Sequence, residues 1–135
     1  MGSMESIEIE VETNDRLVTE LTEQLDQFCV RRGDGLVNVF LPHATAGIGL
    51  METGSGSETD LERAIDELFP KDRPYRHKHG SEGHGRDHVL SCFISPSVVI
   101  PVSGGRPMLG TWQRLVLIDP NRDNRRRRVR FSFLS

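Results

Sequence analysis

The sequence predicts an α+β domain in which a largely antiparallel, two-layer β-sandwich is accompanied by two helices. Three observations lead there. Ile7-Glu8-Ile9-Glu10-Val11-Glu12 alternates apolar and acidic residues without a fault, the pattern of a strand with one wet face. Helical spacing occurs twice, both times in the first half of the chain. Beyond Arg86 every apolar run is strand-like, and the runs are joined by Gly-Gly and Pro-Asn turns.

After the first strand, Leu17, Val18, Leu21, Leu25, Phe28 and Cys29 recur at helical spacing. They predict a helix that starts near Asn14 or Asp15 as cap and ends at Gly33. Gly33-Asp34-Gly35 turns the chain into a buried strand over 36–41. A loop carrying His43 follows, then a short strand over 48–52. Thr53-Gly54-Ser55-Gly56 is a flexible break. The second helix, over 58–69, places Leu61, Ala64, Ile65 and Leu68 on one face and stops at Pro70. Residues 89–94, 98–102, 109–118 and 125–134 complete the strands. With no repeat and no dividing linker, the 135 residues make one domain, set at 4–135. Met1-Gly2-Ser3 ahead of Met4 reads as a cloning remnant.

Apolar content of 36% and charged content of 27% describe an ordinary soluble protein. No apolar run has the length of a membrane span, and the N-terminus lacks the basic head and apolar stretch of a signal peptide. Cys29 and Cys92 lie in apolar runs without CxxC spacing. They are expected to be buried free thiols of a reducing, cytoplasmic compartment. The net charge of −3 hides a polarity: residues 1–70 carry 15 acidic against 4 basic side chains, and residues 71–135 carry 5 against 13. An acidic chain is a poor nucleic-acid binder. The arginine run over 125–130 alternates with Val129, so it is expected to be the solvated face of a terminal strand. The basic second half suits a phosphorylated small molecule.

Four of the five histidines, His77, His79, His84 and His88, fall within twelve residues of a Gly-rich stretch that has no apolar period. Imidazole is the commonest biological metal ligand and exchanges protons near neutral pH, so a metal or acid/base site is the leading hypothesis. His77 and His79 share a side only in extended backbone. His84 and His88 share a face only in a helix, which Gly83 and Gly85 argue against. No HExxH signature is present. Spacing alone leaves a metal site and a solvated polar loop both open. His43 stands in a separate loop, and function turns on whether the two loops meet.

Two carboxylates follow. Ser57-Glu58-Thr59-Asp60 resembles a capping box, which gives Asp60 a structural role beside any chemical one. Glu52 ends a strand before a glycine-rich loop and has no such competing role. Gly110-Thr111-Trp112-Gln113 interrupts an apolar strand. Gly there marks a bulge or a close approach, and Gln113 either serves a polar site or lies on the wet face.

His43-Ala44-Thr45-Ala46, Glu52, Asp60, Tyr75-Arg76-His77, Asp87-His88, Ser97-Val98-Val99-Ile100-Pro101-Val102, Gly105-Arg106 and Leu109-Gly110-Thr111-Trp112-Gln113 follow one another in order. This series resembles the YjbQ-like family, also called the secondary thiamine-phosphate synthase family, from about Ile7 to Phe133. The resemblance implies sandwiched sheets, a homotrimer, and a site built around His43, His77 and His88 that holds a divalent ion such as zinc or magnesium. It implies catalytic positions at Glu52, Asp60 and Gln113, and substrate contacts at Thr45, Arg76 and Trp112. The implied reaction joins a thiazole phosphate, through its nitrogen, to an activated hydroxymethylpyrimidine with loss of pyrophosphate. A non-catalytic metal- or phosphoanion-binding module is the alternative. The chain departs from the pattern at Thr53, where Asn is common, and over 78–86, where Gly and His are unusually dense. His79 and His84 have no counterpart there.

Overall fold

The alternating run at the N-terminus forms β1 (Met4–Glu12), and its partner is the other end of the chain, β8 (Arg126–Leu134), paired antiparallel. The register sets Glu8 opposite Arg130, Glu10 opposite Arg128 and Glu12 opposite Arg126. Arg128 reaches Glu8 at 3.5 Å, and Arg126 reaches Glu12 at 3.5 Å and Glu10 at 3.6 Å. The arginine run therefore faces a glutamate ladder across the strand pair. The opposite face of β8 carries Val129, Phe131 and Phe133, all buried.

A computed structural model describes residues 2–135. In chain order the remaining elements are β2 (Val18–Glu20), α1 (Thr22–Cys29), β3 (Gly35–Phe40), β4 (Gly47–Met51), α2 (Ser57–Leu68), α3 (His84–Leu90), β5 (Ser97–Ser103), β6 (Arg106–Pro107) and β7 (Arg114–Ile118). One sheet has the order β1-β8-β3-β5-β6, the other β2-β7-β4, and all the described pairings are antiparallel. Val37, Val39 and Phe131 of the first sheet and Ile48, Leu115 and Leu117 of the second meet Leu25, Phe28 and Cys29 of α1 in one apolar core. The α+β class and the antiparallel two-sheet architecture expected from the sequence are both found.

Several local expectations are corrected. The first helix does not begin near Asn14. Asn14 and Asp15 take positive φ (53° and 60°), and the β-branched Val18 and Thr19 pair with β7 before α1 starts at Thr22. Residues 109–113 are a turn rather than strand. Residues 89–94 are not strand either, because they finish α3 and its following turn. Cys92 is consequently exposed, whereas Cys29 is buried as expected. α2 buries only Ile65, and Leu68 is 67% exposed. Its cap is Gly56 with no side-chain hydrogen bond, so the capping box at Ser57 does not form.

A third helix is the main surprise. In the sequence, Gly83 and Gly85 argue against one. Instead Gly83 is the N-cap of α3, at a φ of 83° that suits glycine. Gly85 lets the chain pass close: a Cβ there would collide with the His77 carbonyl and stand 2.8 Å from Tyr75 Cβ.

Beneath α3 lies a chain of buried polar groups. Arg86 (2% exposed) donates from Nε to Asp87 Oδ1 at 2.7 Å. Asn121 Nδ2 donates to Asp87 Oδ2 at 3.0 Å, and the Asn121 backbone N–H donates to Asp119 Oδ1 at 3.0 Å. Arg127 holds Asp119 with two bonds, of 2.7 and 3.0 Å, and donates from Nη2 to Thr45 Oγ1 at 3.0 Å. Arg127→Leu strips the buried Asp119 of its counter-charge and is expected to cost about 3–5 kcal/mol. Arg127→Leu with Asp119→Leu should recover much of that loss in denaturant melts. A single variant as stable as the parent would refute this account.

Candidate metal centre

α3 sets the geometry of the histidines. Once 84–90 are helical, His84 and His88 share a face, and their Nε2 atoms lie 3.1 Å apart. His77 and His79, on the exposed loop ahead of the helix, fold back over that face. The His77 ring centroid is 4.0 Å from His79, 4.2 Å from His88 and 5.1 Å from His84. One ligand atom each from His77, His79 and His84 lie within 4.8 Å of one another, a separation that a single ion can span. His88 packs against this trio.

Asp123, in the turn before β8, accepts a hydrogen bond from His84 Nδ1 at 2.8 Å. That bond places the ring proton on Nδ1 and leaves the Nε2 lone pair pointing into the group. A carboxylate behind an imidazole is the usual way a ligating histidine is oriented. The Asn121 amide passes 3.1 Å from the same Nδ1 but donates to Asp87.

Three of the imidazoles, His43, His77 and His88, are biased toward the neutral form. His77 and His88 are held below the ordinary imidazole value by desolvation first, then by the other imidazoles of the group. His43 is lowered too, by burial first and then by the cations of Arg127 and Arg128. Asp123 is held low, chiefly by hydrogen bonds from Ser81 and further by His84. Neutral imidazoles beside an ionised carboxylate are the donor set a zinc-class cation takes.

Of the expected ligands, the structure brings His77 and His88 together but not His43. The His43 Nε2 lone pair accepts the Arg128 backbone N–H at 2.9 Å. His79 and His84 enter the group in its place. Thr45 is 8% exposed, and its hydroxyl is taken by Arg127. Arg76, Glu52 and Asp60 are exposed; Glu52 accepts from Ser55 Oγ at 3.3 Å, and Asp60 sits in the first turn of α2. Gln113 folds onto its own turn, its Oε1 accepting the Gly110 N–H at 2.8 Å, while Trp112 is 71% exposed. Asp123, Asn121 and Arg86 were passed over in the sequence. The i, i+4 spacing of His84 and His88 was the signal available there, outweighed by the glycines.

Residues 6–135 match the family model described as UPF0047 protein YjbQ-like. The chain belongs to that family. A UPF0047 protein of Mycobacterium tuberculosis is 53% identical over 131 residues, covering 97% of this chain and 98% of its own. One from Archaeoglobus fulgidus is 31% identical over 114 residues, covering 84% and 89%. Among solved structures, a protein of unknown function from Sulfolobus solfataricus superposes with a TM-score of 0.91 at 23% identity, covering 100% of this chain and 99% of that one. A hypothetical protein from Aeropyrum pernix gives 0.81 at 28%, covering 97% of each. No helix among the described residues is long and apolar enough to cross a membrane.

The lowered imidazoles carry a pH prediction. His43, His77 and His88 fall below 6.5 in the folded chain, so on acidification the unfolded chain takes up protons first. Stability is therefore full above 6.5 and is lost as pH falls from there toward the folded values. In metal-free buffer the melting temperature should drop across that window, and the imidazole C2 proton resonances of these residues should titrate below 6.5. Resonances titrating above it would overturn the assignment.

Proposed function

We propose that His77, His79 and His84 hold a divalent cation of the zinc class, and that the site so formed acts on a phosphorylated small molecule. The observation that carries this reading is the pairing of a three-imidazole group with Asp123 fixed behind His84. Magnesium, which prefers oxygen ligands, suits this donor set less well. Bound there, the cation would polarise a phosphate or pyrophosphate oxygen. The side chains do the rest. His84 presents Nε2 because Asp123 holds the proton on Nδ1. His88 gives its Nε2–H to the His84 Nε2 lone pair at 3.1 Å, so the nitrogen at which it can take up a proton is Nδ1. Arg76 and Lys78, exposed on the same loop, supply positive charge for a phosphate.

The reaction to test first is the one the family resemblance implies: attack by a thiazole phosphate nitrogen on activated hydroxymethylpyrimidine, with release of pyrophosphate. The second reading, a binding module without turnover, is favoured by one observation. Glu52 and Gln113 are hydrogen-bonded within their own loops and Asp60 is solvent-exposed, so none of the three is engaged with the histidines.

A homotrimer is part of the proposal. Met4, Leu134, Leu36 and Pro101 form one cross-strand row on the outer face of the five-stranded sheet, and Val99 and Met108 extend it. All are exposed, Met4 to 66% and Met108 to 59%. A contiguous apolar sheet face of this kind calls for a partner, and further copies of the chain are the simplest one.

Zinc titration should give one equivalent per chain, lost in His79→Ala and His84→Ala. Asp123→Asn, which keeps the shape but not the charge, should weaken binding by roughly 10–100-fold. Zinc bound equally well by all three variants would end the metal reading. Metal-loaded protein without turnover on the thiazole and pyrimidine phosphates would leave the binding module. Light scattering should report three chains per particle, and a monomer mass at all concentrations would refute the assembly.

A further inference from the structure

We propose that a second cavity, away from the histidines, binds a small zwitterion. It has a volume of about 410 Å³ and lies between α2, the turn ahead of β2, and the turn after β7. Both signs of charge line it, and Asp15 and Asp119 are already engaged by Arg125 and Arg127. Glu58, Glu62 and Asp66, spaced by four on α2, form an acidic stripe along one wall. Arg16, Lys71 and Arg122 line it from separate loops. None of these three cations forms an ion pair among the described residues, and Glu62 has no hydrogen-bond or ionic partner among them either. Like charges at i, i+4 repel along a helix, so the stripe is held at a cost that a bound cation relieves.

Arg86 supplies the independent observation. Its side chain is 2% exposed, yet it lines the cavity. Nε is used by Asp87, and Nη1 by the Phe69 carbonyl at 3.2 Å and by Asp66 at 3.4 Å. Nη2 has no protein acceptor among the described residues. A largely buried guanidinium whose remaining donors open onto a cavity wall is a site for an oxyanion. The anionic end of the ligand, a phosphate or a carboxylate, is thus held by Arg86 Nη2 with Lys71 and Arg122, and an ammonium end lies along the α2 stripe. The inference does not rest on a metal at the histidines, although Lys71 also lines the neighbouring cleft beside His77 and His84.

Calorimetric titration of the intact protein with phosphoethanolamine and β-alanine tests this, with inorganic phosphate and ethanolamine as single-charge controls. One of the two zwitterions should bind at least ~10-fold more tightly than either control, as two charge-assisted contacts replace one. Glu62→Gln should remove that advantage and leave phosphate binding unchanged. Lys71→Ala and Arg122→Ala should weaken both, and His79→Ala should weaken neither. All four positions are exposed, so folding is not at stake. The proposal is overturned if a control binds as tightly as the zwitterions, if nothing binds, if Glu62→Gln changes nothing, or if His79→Ala abolishes binding.

Discussion

Two buried guanidinium–carboxylate pairs, Arg127 with Asp119 and Arg86 with Asp87, are the constraint on which the rest of this structure hangs. Each carboxylate is almost fully out of water, and each would be intolerable alone. Burial raises the Asp119 carboxyl, and the Arg127 hydrogen bonds oppose it. Asn121 makes the two pairs one unit, giving its backbone N–H to Asp119 and its amide to Asp87. Because desolvated ions demand fixed partners, the unit locks four segments of distant sequence: the Thr45 loop, α3, the turn after β7 and the start of β8. Apolar packing alone would hold the two sheets together without fixing how that turn and α3 lie on them.

The histidine group is a consequence. α3 is short, has a glycine N-cap and buries little apolar surface beyond Leu90, so it has small helical stability of its own. Arg86 and Asp87 anchor it through the ionic unit, and that anchoring presents His84 and His88 on the outer side. The same turn that carries Asn121 carries Asp123, so the residue that orients His84 is positioned by the residue that braces α3. His43 belongs to the other end of this unit. Two residues from Thr45 in sequence, it is bound to the β8 backbone and feels the Arg127 charge. The two histidine loops are thus joined by ionic chemistry through the interior rather than by direct contact.

How much of this was legible in the sequence follows from the range of the forces involved. β1 and β8 could be read because a period of two is local, and because the arginines and glutamates needed only to face outward. The strands of the core were found for the same reason. The first helix expected from the sequence is present from Thr22 with Leu25, Phe28 and Cys29 buried, but its expected start near Asn14 was a coincidence of spacing, because strand pairing with β7 claimed Val18. α3 was missed because glycine preferences are weak, of order 1 kcal/mol, and a buried ionic anchor outweighs them. Family resemblance named His77 and His88, whose ring centroids the fold brings to 4.2 Å of each other. It could not supply His79, His84 or Asp123, which lie where this chain departs from the pattern or outside the motifs compared.

Protons and cations act on the histidine loop in opposite senses. His77 and His88 lose proton affinity to burial and then to the neighbouring rings, since each proton raises the cost of the next. The loop ahead of α3 has almost no apolar anchor besides Tyr75, whose hydroxyl donates to the Pro70 carbonyl at 2.9 Å. Its position over α3 rests on the contacts of the His77 ring with His79 and His88 and on the close passage that Gly85 permits. On the proposed reading, a metal ion would take up the lone pairs of several rings in one step while drawing them together. The lowered His77 and His88 and the Asp123 brace would then be two halves of one arrangement, in which the folded chain has already met part of the cost of taking a cation.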